Sequence, residues 1–154
     1  TSETLVRAAL EAAHHDPDDR DSAFFKSTFR APIYRTLFEL ARANLRTVEV
    51  VVAGPFTKEF ASSDWLDSIR LAYGLATRPI AVHTHCSPSL LESRMRQRDN
   101  PRDHAKLADW TRYLAYYESA PRPLFPHLSV NTESPESVEL ALATLSDSSF
   151  GNDT

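Results

Sequence analysis

The amino-acid sequence predicts an α/β domain built on a parallel sheet, and three observations carry that expectation. Helical patterns alternate with short β-branched runs along the chain, the order produced when crossover helices join parallel strands. The run TVEVVVAGPF, residues 47–56, is continuously apolar over its centre, which suits a strand covered on both faces. Only three strands can be placed in 154 residues, fewer than the about five of an average sheet. The shortfall falls at the front, where the chain begins at Thr1 and its single methionine is Met95. One or two strands are therefore expected to precede this sequence.

Each element follows from local chemistry. Residues 2–14 place Leu5, Ala8, Ala9, Ala12 and Ala13 at helical spacing, with Thr1 or Ser2 as N-cap. HDPDDRD, 15–21, is an acidic turn. A short helix is expected at about 22–29, opened by Asp21 or Ser22. A longer one takes Pro32 in its first turn and runs to about Asn44. Residues 48–53 form the first strand and stop at Gly54–Pro55. Helical periodicity returns over 63–75 through Trp65, Leu66, Ile69, Ala72 and Tyr73. PIAVHTH, 79–85, is the second strand, and Ser87 then caps a helix with Pro88 at its first position. NPRD, 100–103, interrupts that helix, which resumes over 103–117. APRPLFP is an extended linker into a third strand, HLSVN, 127–131. A last amphipathic helix spans about 135–145. Residues 1–146 are expected to form one domain, with 147–154 a frayed tail.

Composition narrows the function. The chain is 42% apolar and 25% charged with a formal net charge of −4, so binding to nucleic acid or to a membrane as a whole-surface property is not expected. No apolar run reaches the ~18 residues of a membrane span. The one cysteine, Cys86, cannot form an internal disulfide, which fits a reducing cytoplasm. With only Gly54, Gly74 and Gly151, the chain holds no glycine-rich phosphate loop.

The chemistry-bearing stretch is RMRQRDNPRDHAKLADW, 94–110. On a helix Arg94 and Arg98 share a face, and a break at Asn100–Pro101 lets Arg102 fold back towards Arg98. Guanidinium groups are planar, permanently charged and bidentate, so such a hinged pair could neutralise phosphoryl oxygens. Taken alone, the stretch reads better as a solvated helix with intrahelical pairs such as Glu92–Arg96. Three other groups of residues invite a functional reading. His83, His85 and Cys86 lie together at a strand end, but without a second cluster they would leave a metal unclosed. Asp16, Asp18, Asp19 and Asp21 could hold Mg²⁺ or simply form a solvated turn. Gly54 and Asn131–Thr132 stand at strand ends, where α/β sheets place ligands.

Together these blocks resemble bacterial P-loop kinase-like proteins, the AAA family ATPases and zeta-toxin- or gluconate-kinase-like phosphotransferases. VEVVVAGPFTKEF, AVHTHCSPSLLESRMRQR, NPRDHAKLADWTRYL and PHLSVNT carry the resemblance, and the opening TSETLVRAALEAAHHDPDDRD is similar to the segment after their second strand. The resemblance implies a three-layer sheet of order 2-3-1-4-5, here lacking its first two strands, with a helical arginine-bearing lid at about 94–117. It implies ATP and Mg²⁺ as cofactors and transfer of the γ-phosphoryl group to a small acceptor. Arg98 and Arg102 match lid positions that touch phosphates. Arg94, Lys106, Asn131 and Thr132 would serve the nucleotide, with Asp103 and Lys106 orienting the arginines. Arg30, Arg35, Gly54, Pro55 and Phe56 would line the acceptor site. The Walker A element G-x-x-x-x-G-K-[ST] is absent, so the chain alone should be a poor catalyst or none. The rival expectation is a non-catalytic binder of phospho-ligands or proteins through the same arginine face. Exposed sheet edges would favour a homodimer or a dependence on partners.

Overall fold

The structure, a computed structural model, describes residues 2–119 and 121–149. The chain is a mixed helix–strand protein of the α/β kind in the general sense. Its described elements are α1 (Ser2–Ala12), α2 (Ala23–Thr28), α3 (Arg30–Asn44), a 3-10 turn (Glu59–Ala61), α4 (Trp65–Tyr73), β1 (Val82–His85), α5 (Pro88–Arg98), α6 (Pro101–Ala108), α7 (Trp110–Ser119), β2 (Leu128–Asn131) and α8 (Pro135–Ser149). β1 and β2 pair in parallel, Val82 opposite Leu128 and His85 opposite Asn131. They make a two-stranded sheet. Among the described residues no helix is long and apolar enough to cross a membrane.

The residues group into two compact units, Thr1–Pro55 with Asp99–Asp109, and Phe56–Arg98 with Trp110–Thr154. The first is built around Val6 and Leu10, four residues apart on one face of α1, which close on Phe25 of α2. Phe24, Phe29 and Ile33 pack around them. α2 begins where the sequence chemistry says it should: Ser22 Oγ accepts the Phe25 N–H at 3.0 Å. Asp19 Oδ1 accepts the amides of Asp21 and Ser22 at 3.1 and 2.9 Å, shaping the acidic turn before it.

Residues 48–53 are not the buried strand that their composition predicts. They carry no regular secondary structure, and Val48 and Val51 are 58% and 93% exposed. β-Branched residues favour a strand only where a neighbour supplies ladder partners and cover. Among the described residues the sheet holds only β1 and β2. The valines instead line an open groove of about 390 Å³ beside Leu37, Leu40, Ala41 and Asn44 of α3.

In the second unit, Leu66, Ile69, Met95, Phe125 and Val130 are buried, and α8 packs against β2. An aromatic chain runs from Phe56 to Trp65 (5.0 Å between centroids), to Phe125 (5.2 Å) and to Phe60 (6.2 Å). α4 ends at Gly74, whose φ of 59° is the left-handed cap that glycine adopts without strain. The expected strand at 79–85 is reduced to Val82–His85. The expected helix over 103–117 is two helices, because Asp109 (φ −130°, ψ 68°) leaves helical geometry between α6 and α7. α8 continues to Ser149, past its predicted end near 145, so 147–149 are helical rather than frayed. The rest of the expected tail, 150–154, and Thr1 as a cap lie outside the described residues.

Candidate functional site at the carboxyl edge of the strands

Parallel pairing brings the ends of β1 and β2 to one edge, and each strand turns there into a helix, α5 or α8. Open α/β sheets bind ligands at that edge. The two ends are fastened together. The Thr132 N–H and Oγ1–H both donate to the His85 carbonyl, at 2.9 and 3.2 Å. Asn131 Oδ1 accepts the Glu133 N–H at 3.0 Å and tightens the turn after β2. Glu133 Oε1 accepts the Ser87 N–H at 2.9 Å and also a close bond from the Ser87 hydroxyl. Those two bonds, the Ser87 hydroxyl first, hold the Glu133 carboxyl below its ordinary value, aided by the charge of Arg94.

Arg94 reaches across the edge from α5. Its guanidinium donates to Thr132 Oγ1 at 2.7 Å and to the Thr132 carbonyl at 3.1 Å. Both acceptors are neutral, so the cation is held in one orientation without being discharged by them. Two residues expected to serve a nucleotide, Arg94 and Thr132, are thus brought into contact, with Asn131 beside them.

The remaining predicted residues are distributed differently. Arg96 pairs with Glu92 at 2.6 Å, as a solvated helix would have it. Arg98 is exposed in the second unit, while Arg102 belongs to the first and lies 3.4 Å from Glu3. Lys106 stands 3.9 Å from both Asp21 and the buried Asp103. Arg30 lies over the Tyr34 ring at 5.0 Å, and Arg35 is exposed on α3. Gly54 and Pro55 are exposed in the first unit, whereas Phe56 belongs to the second, with φ 44° and its ring on Trp65. The acidic turn uses its carboxylates locally: Asp18 pairs with Arg7, and Asp16 accepts the Asp18 amide. Among the described residues no three His, Cys, Asp or Glu side chains form a metal-binding group.

Two residues, Glu133 at this edge and His127 at the amino end of β2, carry no weight in the sequence reading. Glu133 follows the strand end directly, and its pairing with Ser87 spans 46 positions, so no local pattern announces it. His127 opens the predicted third strand and is in register to share a sheet face with His83 and His85. That periodicity was the available signal. Comparison with protein-family models, curated proteins and solved structures finds no match to the chain.

Proposed function

We propose that this chain binds the phosphate end of a nucleotide or similar small phosphorylated molecule at the edge shared by β1 and β2, as part of a P-loop kinase-like phosphotransferase. The observation that carries this reading is the Arg94–Thr132 contact. A guanidinium anchored on neutral oxygens at 2.7 and 3.1 Å keeps its direction, with the Glu133 carboxylate near enough to interact with its charge, and its planar fork suits bidentate contact with phosphoryl oxygens. Parallel adjacency of β1 and β2 is in keeping with the fourth and fifth strands of the 2-3-1-4-5 order that the resemblance implies. The Walker A element is absent from the 154 residues, so the activity proposed for this chain is binding. Transfer of the ATP γ-phosphoryl group would require the loop amides, lysine and Mg²⁺ contacts in addition.

Calorimetry with ATP, ADP and a nucleoside monophosphate on this chain tests the reading. Arg94→Gln is expected to weaken ADP binding at least about tenfold, the loss of one charge-assisted bond. Absence of nucleotide binding, or equal binding by Arg94→Gln, would overturn it.

A further inference from the structure

One face of the β1–β2 ladder gathers three imidazoles. His83 and His85 alternate along β1, and His127 immediately precedes β2 in the register that pairs Val82 with Leu128. The His83 ring lies 5.7 Å from His127, nearly perpendicular to it, and 6.0 Å from His85. Phe60 meets His83 edge-on at 5.4 Å, and Phe125 meets His127 at 6.3 Å. His127 Nδ1 sits 2.9 Å from the Phe125 carbonyl. A carbonyl only accepts, so Nδ1 carries the proton there, and Nε2 is the atom that gains a second one.

The surroundings of His83 are one-sided in charge. Burial first, then His127, His85 and Arg122, hold its pKa below the ordinary histidine value. His85 comes from its own strand, and His127 and Arg122 from the segment leading into β2. Among the described residues no carboxylate acts on His83 in the opposite sense. The His83–His127 end of the patch therefore has no carboxylate set against it, whereas His85 lies near the Glu133 carboxylate of the neighbouring edge.

We propose that this histidine face is a second anion site, distinct from the Arg94–Thr132 edge, which takes a phosphate-sized dianion when its imidazoles are protonated. Arg122 supplies the charge that is present at every pH, and the imidazole pair at the His83 end of the patch supplies the charge that pH controls. Dianion and protons favour one another, because each removes the cost the other would meet alone. A cation is the wrong occupant: among the described residues no metal-binding group of three forms, and Arg122 repels one.

Sulfate is the suitable probe, since it stays a dianion across the range in which histidine titrates. Calorimetry at about pH 5.5 and about pH 7.5 should give sulfate affinity rising towards about tenfold per pH unit for each proton taken up. The ring resonances of His83 and His127 should titrate at higher pH when sulfate is present. Arg122→Gln, at an exposed position, and His83→Asn should each weaken binding about tenfold or more at the lower pH. Repeating the titrations on an Arg94→Gln background removes sulfate held at the nucleotide edge, and the pH-dependent component should persist there. Sulfate affinity equal at the two pH values, no binding at either, or indifference to Arg122→Gln in a normally folded variant would overturn the proposal.

Discussion

Glu133 receives both the backbone N–H and the hydroxyl of Ser87, fastening the turn after β2 to the start of α5. The carboxylate does the work of an N-terminal cap contributed from a distant part of the chain, and it favours the positive end of the helix dipole. Its pKa is lowered by those same two bonds. A carboxylate with a depressed folded pKa contributes stability that is present above its unfolded value and lost as pH falls through the folded one. Acid unfolding below the ordinary glutamate range should therefore be steeper in the native chain than in Glu133→Gln. Denaturation midpoints followed by circular dichroism along a descending pH series check this. Parallel curves would mean that the bond contributes nothing.

The limits of the sequence as a guide follow from the range of the interactions involved. Helix starts are legible where their chemistry is local, as where Ser22 caps α2; the start of α6 at Pro101 falls inside the expected 100–103 break, because Asn100 Oδ1 caps it by accepting the Arg102 amide. β1 and β2 were legible as strands but overlong at β1, since ends depend on where the partner stops. The 48–53 run misled because valine content reports preference, whereas a strand also needs a neighbour to complete its hydrogen bonds. At the site, Arg94 and Thr132 were both singled out, yet their contact spans 38 positions. Glu133 was invisible for the same reason.

His83 gives the opposite pH signature to an ordinary salt-bridged histidine. Burial, and then His127, His85 and Arg122, lower its pKa in the folded chain. An unfolded chain consequently binds the extra proton first as pH falls below about 6.5, the unperturbed histidine value. Stability is present above that value and declines below it. Urea unfolding in chloride buffer, with no sulfate or phosphate, should show this decline between about pH 7 and about pH 5. His83→Asn should flatten it, and an unchanged slope in the variant would assign the decline to other groups.

Leu10 is fully buried between Val6 and Phe25 in the first unit. Leu10→Ala removes apolar surface from the centre of that small core and leaves a cavity. The expected cost is about 2–4 kcal/mol, the range of well-packed leucine truncations. Urea denaturation read by the signal of the first unit checks it. A cost below about 1 kcal/mol would mean that the α1–α2 packing contributes little.

Val51 provides the sharpest test of the 48–53 segment. A valine buried on both faces of a sheet could not accept a lysine: an unpaired charge would enter an apolar layer at a cost of several kcal/mol. Val51 is 93% exposed and belongs to no ladder. Substitution at such a surface position typically moves stability by less than about 0.5 kcal/mol. Val51→Lys should therefore unfold at the same urea concentration as the native chain, and it should reduce any self-association driven by exposed valines. A loss of several kcal/mol would put residue 51 inside a sheet and restore the buried strand that the sequence alone predicts.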